Sequence, residues 1–213
     1  MDVSRETSVE EEPAAAASIF GDRLELARAF VANLAREGEL RGLIGPLELP
    51  RLWSRHILNS AVVAPLFHGS VADVGSGAGL PGLVCAIAAP EVEWTLIEPM
   101  ERRALWLEEQ IAELSVDNVR VARARSQEWT GGAVFDAVTA RAVAALRTLI
   151  PLTAPLVRDG GELILLKGAS VDAEIEKATA QMTRARLSEV RVELVGSELL
   201  AEPTRVLRAR VRA

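Results

Sequence analysis

Val71-Ala72-Asp73-Val74-Gly75-Ser76-Gly77-Ala78-Gly79-Leu80-Pro81-Gly82 passes from a short apolar strand, Val71–Val74, through alternating glycines into a helix over Pro81–Ala89. The proline falls in the first helical turn, where its missing N–H is no loss. Such a strand-to-helix turn leaves backbone N–H groups free and lets a ligand approach the main chain closely. Downstream the alternation continues: strand Trp94–Ile97, amphipathic helix Glu101–Leu114, strands Val119–Ala122 and Phe135–Thr139, and a helix over Leu146–Val157 interrupted near Pro151 and Pro155. Strand Glu162–Leu166, helix Asp172–Ala185 and the strands Val190–Val195 and Val206–Val211 complete the pattern. It predicts an α/β fold with a seven-stranded, mostly parallel, doubly wound (Rossmann-like) sheet, the last two strands adding an antiparallel edge.

Upstream, Ala14–Glu37 places Ile19, Leu24, Leu26, Ala27, Phe30, Val31 and Leu34 on one helical face, and Gly38 reads as its C-cap. A link punctuated by Gly42, Gly45 and Pro46 leads to a second helical stretch, Leu52–Phe67. Residues 14–68 are therefore expected to form an N-terminal helical cap on the sheet domain, 69–213, the two making one compact unit. Residues 1–13 are acidic and without periodicity, and are expected to be a disordered tail.

Composition narrows the function. The chain has 213 residues, 49% apolar and 25% charged, which is ordinary for one large globular domain or a domain with an extension. One cysteine, Cys85, makes no internal disulfide, and with only His56 and His68 beside it a Cys-rich zinc site is excluded; no bound metal is expected. Tyrosine is absent, which removes every Tyr acid or base. No apolar run approaches about 18 residues, so no membrane span or membrane partner is expected. The acidic start lacks an apolar core, which argues against a secretory signal. A reducing, cytoplasmic compartment follows as an expectation. Net charge is −6, of which the first 13 residues carry −4. Of 24 basic residues only Lys167 and Lys177 are lysine. That bias has a bland reading, genomic base composition, and a functional one, since arginine grips phosphate with a fork that lysine lacks.

Two cofactor readings compete at the glycine turn. Gly77–Gly82 fits G-x-G-x-x-G, a dinucleotide fingerprint; Asp73–Gly79 fits D-x-G-x-G-x-G, the S-adenosylmethionine turn of class I methyltransferases. Glu98, ending the second strand, would hold ribose hydroxyls in either case. Asp73 puts a carboxylate beside the first turn. That suits the ammonium of a methionine moiety and is unfavourable beside a pyrophosphate. Hydride chemistry also needs a proton donor, and no Tyr is available and neither His lies in a strand-end loop. The balance favours a methyl donor held by Asp73, Gly75, Gly77 and Gly79. Ser126 and Gln127, after the third strand, are placed for an adenine edge, although Ser126 is equally a plain helix cap. Arg141, in Thr139-Ala140-Arg141-Ala142, borders the reaction centre. The absence of a Pro-Pro-aromatic run there disfavours an amino-group target.

A more specific resemblance follows. Arg51-Leu52-Trp53-Ser54-Arg55-His56-Ile57-Leu58-Asn59-Ser60, the glycine turn ending Gly79-Leu80-Pro81-Gly82, Thr139-Ala140-Arg141 and Leu166-Lys167-Gly168 resemble, in order and spacing, the bacterial glucose-inhibited division protein B (RsmG) family of 16S ribosomal RNA guanine-N7 methyltransferases. The resemblance covers roughly residues 18–212 of the chain. It implies a class I SAM-dependent methyltransferase fold, S-adenosylmethionine as methyl donor and S-adenosylhomocysteine as product. It places Gly75, Leu80, Ser126, Gln127 and Arg141 at the donor, with Glu98 at the ribose, where many members carry Asp. Its substrate would be 16S ribosomal RNA or the small ribosomal subunit, with the enzyme a monomer.

Guanine N7 carries a lone pair and no proton, so methyl transfer needs no general base. The barrier falls through positioning and electrostatics, with Arg141 the residue expected at the reacting atoms. Basic groups belong on phosphates, and the candidates are Arg55, Arg102, Arg103, Arg123, Arg125, Lys167 and Arg205. His56 and Asn59 join them on the RNA side, with core packing the rival reading for His56. Arg208, Arg210 and Arg212 read instead as a polar face protecting a sheet edge. Two other classes stay open: a small-molecule methyltransferase, which needs an apolar substrate pocket under the cap, and an RNA-binding module without catalysis.

Overall fold

The computed structural model describes residues 8–132, 134–141 and 144–212. The N-terminal part comprises α1 (Ala15–Phe20), a 3-10 turn (Gly21–Arg23), α2 (Leu24–Glu37), a second 3-10 turn (Leu49–Arg51), a π-helical segment (Leu52–Leu58) and the short α3 (Asn59–Ala61). Then follow β1 (Ser70–Val74), α4 (Gly82–Ala88), β2 (Glu93–Ile97), α5 (Glu101–Leu114), β3 (Val119–Ala122) and β4 (Phe135–Arg141). The chain continues through α6 (Leu146–Thr153), β5 (Val157–Lys167), α7 (Val171–Lys177), α8 (Thr179–Arg184), β6 (Leu187–Val195) and β7 (Thr204–Val211).

The seven strands form one sheet in the order β3-β2-β1-β4-β5-β7-β6. β1 to β5 run parallel, and β7 is antiparallel to both of its neighbours, as the alternation predicts. Strand order reverses between β1 and β4, so their carboxyl ends open a crevice where ligands bind in such sheets.

Each sheet face carries its own core. Val71, Trp94, Leu96, Ala137 and Ile164 pack under α4, α5 and the N-terminal helices, while Ala72, Val138, Leu163, Leu165 and Leu207 pack on the side of α6 to α8. Phe20, Phe30, Leu34, Trp53 and Ile57 of the N-terminal helices belong to the first of these cores. A buried amide pair spans α2 and α5, Asn33 Nδ2 donating to Gln110 Oε1 at 3.0 Å. Phe30 lies 6.5 Å from the Trp106 ring, and Arg41 sits 5.3 Å over that ring.

Several sequence expectations change. The helix expected over 14–37 breaks at the Gly21–Arg23 turn. Gly38 does cap α2, its N–H donating to Leu34 O, but with a right-handed φ of −61°; a Cβ there would lie 2.8 Å from Ile44 Cγ1, so close packing selects the glycine. β7 lies inside the sheet, so Arg208 and Arg210 protect no edge. They form a cross-strand ion ladder, Arg208 with Glu162 (2.5 Å) and Glu193 (3.4 Å), Arg210 with Glu189 (3.2 Å). The acidic tail is held in its described part. Glu10 N donates to Leu49 O (3.0 Å), Ser54 N donates to Glu10 Oε2 (2.9 Å), and Glu12 pairs with Arg28. Residues 1–7 of that tail lie outside the described residues.

Candidate active site

The chain leaves β1 through Gly75, Gly77 and Gly79, whose φ values of +75°, +56° and +99° are left-handed and suit glycine. Their turn is braced from three sides. Gly75 N donates to Ile97 O at 2.8 Å, tying it to β2. Trp106 Nε1 of α5 donates to Ala78 O at 3.1 Å. The buried Glu98 carboxylate accepts from Gly77 N through Oε2 and from Met100 N through Oε1, both at 2.9 Å. Glu98 thus clasps the loop as well as facing the cleft.

Asp73 sits on the other side of the turn. It is fully buried, and its Oδ2 accepts from Gly82 N at 3.0 Å, holding the start of α4. Its Oδ1 has no partner. Burial, reinforced by the charge of Glu98, pushes this carboxyl up to about 7. It forms no part of the cleft wall.

Above the turn lies a cleft of about 560 Å³, within the size range of small-molecule sites. Gly75, Gly77, Leu80, Glu98, Arg103 and Arg141 line it, and Leu43, Ile44 and Gly45 from the N-terminal part close the opposite wall. Asp73, Gly79, Ser126 and Gln127 are not among its walls. Ser126 and Gln127 occupy a 3-10 turn after β3, where Glu128 Oε2 accepts from Arg125 N at 3.2 Å.

Arg141, at the end of β4, reaches across to the π-helical segment. Its guanidinium donates to His56 O (3.1 Å), Ser60 Oγ (2.9 Å), Arg55 O (3.4 Å) and His56 Nδ1 (2.6 Å). Both carbonyls belong to the π-helical segment, and they also accept from Asn59 Nδ2 (Arg55 O, 3.3 Å) and Ser60 Oγ (His56 O, 2.6 Å). Burial and the nearby Arg55 lower its basicity to about 10, which keeps it charged at neutral pH. Cys85 Sγ donates to Ser60 O at 3.2 Å, so the lone cysteine packs α4 against this turn.

Arg141 also lines a second cavity, of about 550 Å³, together with Arg55, Asn59, Lys167, Arg205 and Glu202. The four sequence-predicted RNA residues here are not equivalent. Arg55 is exposed, its side chain 54% accessible. The Arg205 side chain has no hydrogen-bond or ion-pair partner among the described residues. Lys167 is only 8% exposed, and its ammonium meets Glu174 at 2.8 Å and Ala144 O at 3.1 Å. Asn59 is turned to β7, its Oδ1 accepting from Thr204 Oγ1 at 3.0 Å. His56 lines the first cleft and not the second. Arg123 pairs with Glu101 and Arg125 lies 3.7 Å from Glu128; with Arg102 they fall outside both cavities. Ala142 of the Arg141 motif lies outside the described residues. Sequence reasoning missed Glu48, whose only mark is to stand as a lone acid in Pro46-Leu47-Glu48-Leu49-Pro50.

Residues 23–202 match the family described as GidB, rRNA small subunit methyltransferase G. The chain belongs to the GidB family. The ribosomal RNA small subunit methyltransferase G of Leifsonia xyli is 62% identical over 206 residues, covering 96% of this chain and 99% of that protein. Its counterpart in Clavibacter sepedonicus is 57% identical, over 96% and 98%. That of Corynebacterium glutamicum is 46% identical, over 93% and 91%. Among solved structures, a tRNA (m1A58) methyltransferase from Aquifex aeolicus superposes with TM-score 0.57 at 12% identity, over 73% of this chain and 68% of that one. A SAM-dependent O-methyltransferase from Thermotoga maritima gives 0.57 at 16%, over 78% and 71%. The GidB chain therefore has the class I SAM-dependent methyltransferase fold.

Proposed function

We infer that this GidB protein transfers a methyl group from S-adenosylmethionine to N7 of a guanine in 16S ribosomal RNA, releasing S-adenosylhomocysteine. The observation that carries the reading is Arg141 on the wall shared by two cavities, one floored by the glycine turn and the other edged by Arg55 and Arg205. The residues of the first cleft fit a nucleoside-bearing donor. Gly75 and Gly77 offer bare backbone, Glu98 a buried carboxylate, and Leu43, Ile44 and Leu80 apolar walls. When bound, the donor supplies an electrophilic methyl on a sulfonium. Around it the protein's residues only bind and orient, because guanine N7 gives up no proton and no base is required. Arg141 stands at the shared wall on the acceptor side; N7 gains positive charge in the transfer, so a guanidinium held there contributes placement rather than charge stabilisation. Arg55 and Arg205 grip the backbone of the acceptor. The second cavity is polar, which disfavours the small-molecule alternative and its apolar substrate pocket.

A substrate on the small subunit puts the enzyme, as a monomer, in the cytoplasm. No helix among the described residues is long and apolar enough to cross a membrane. We take the N-terminal helices and the sheet to act as one body, because they share a core and the first cleft has walls from both. The test is methyl incorporation into small subunits from a strain lacking the gene, using a tritiated donor. The wild-type protein labels them, and Arg141→Ala lowers the rate by about 100-fold through lost placement. Wild-type protein that labels neither subunits nor their RNA overturns the reading.

A further inference from the structure

Glu48 touches His56, and His56 touches Arg141. His56 Nε2 lies 2.5 Å from Glu48 Oε2, and His56 Nδ1 lies 2.6 Å from a terminal nitrogen of Arg141. A carboxylate only accepts and a guanidinium only donates. One ring nitrogen must therefore point a hydrogen at Glu48 while the other offers Arg141 its lone pair. Only the neutral Nε2–H imidazole does both.

We propose that Glu48 is a positioning residue: through His56 it selects the tautomer that accepts from Arg141, and so fixes the Arg141 guanidinium on the wall between the two cavities. Glu48 is itself anchored, accepting from Arg51 at 2.7 Å. The remaining supports of Arg141 come from the main chain of Arg55 and His56 and from Ser60. The shortest support, and the one that changes with protonation, is the imidazole.

The charged groups acting on His56 are Glu48, Arg141 and Arg55, with Asp73 acting on Arg141 from the sheet. Burial and Arg141 hold His56 below its ordinary value of 6.5, while Glu48 opposes them. A proton added at Nδ1 sets N–H against N–H and releases Arg141. Activity therefore carries an acid limb that belongs to the enzyme, since N7 methylation itself consumes no proton from a base. The kinetic part of this inference rests on the methyltransferase reading; the tautomer does not.

The chain has two histidines, so a long-range ¹H–¹⁵N spectrum contains two imidazoles, and a His56→Asn variant assigns them. We expect His56 as Nε2–H, titrating below 6.5. In Glu48→Gln the amide oxygen still accepts from Nε2–H, so the tautomer persists. Loss of the charge moves the His56 titration, and the acid limb of kcat, down by about one unit. In Glu48→Ala the tautomers mix and kcat at mildly alkaline pH falls by about tenfold or more, partly rescued in the Gln variant. An Nδ1–H ring in the wild type, or a Glu48→Ala protein with unchanged tautomer and unchanged pH profile, overturns the proposal. The spectra need neither donor nor RNA. Failure of methyl transfer with the expected spectra overturns only the functional reading.

Discussion

Asp73 is a carboxylate with no route to water and one oxygen unpaired. Burial raises its folded value to about 7, above the ordinary 3.8. Between those values the folded protein keeps a proton that the unfolded chain has released, so the contribution of Asp73 to stability falls as pH rises through that window. Asp73→Asn removes this dependence. Urea unfolding is expected to show the variant gaining on the wild type between about pH 4 and about pH 7. Parallel curves would place the proton on another group. Glu98 tells a related story. The sequence marked it for a ribose, and the side chain also accepts from Gly77 N and Met100 N. Glu98→Ala is expected to weaken donor binding, read by calorimetry, through both roles. An unchanged dissociation constant would leave the clasp without functional weight. Neither backbone hydrogen bond is legible in sequence, because only the folded turn brings those N–H groups to Glu98.

Among elements, α5 and β3 occupy the residues their patterns mark, Glu101–Leu114 and Val119–Ala122, because amphipathic period and strand length leave little freedom there. The π-helical segment was not legible. Leu52, Trp53, Ile57 and Leu58 bury their side chains as an α-helix of the same sequence would, and the difference lies in backbone pairing. Arg141 meets two carbonyls of that segment, Arg55 O and His56 O. The contact of α2 with α5 matters to the glycine turn, since Phe30 packs near Trp106, which holds Ala78 O. Phe30→Ala is expected to cost about 3–5 kcal/mol, seen as a lower Tm, and to weaken donor binding as the Trp106 anchor loosens. A variant with lowered Tm and native donor affinity would uncouple the two.

For the whole molecule, sign and placement of charge decide more than the net −6. Arginine-rich composition alone did not separate phosphate ligands from solvated surface. The fold brings Arg55, Lys167 and Arg205 to one cavity with Arg141, and pairs Lys167 there, and Arg123 outside it, with acids. Affinity for ribosomal RNA is expected to fall with salt, and Arg205→Ala to reduce the log–log slope by about one. Lys167→Ala leaves that slope unchanged and lowers Tm, because it strands Glu174, which also accepts from Leu146 N. A flattened slope in the lysine variant would move its ammonium onto phosphate. The parallel run of β1 to β5 was legible from the strand–helix alternation. The position of β7 was not, because two antiparallel strands satisfy the same alternation in either order. Among the described residues β6 pairs in the sheet with β7 alone. During synthesis β6 emerges first with nothing to join, and the growing chain must hold it unpaired until Thr204–Val211 arrives. Removing that segment therefore takes two strands from the sheet at once, and nascent chains halted before it present the bare edge of β5 and an unpaired β6 to proteases and to one another.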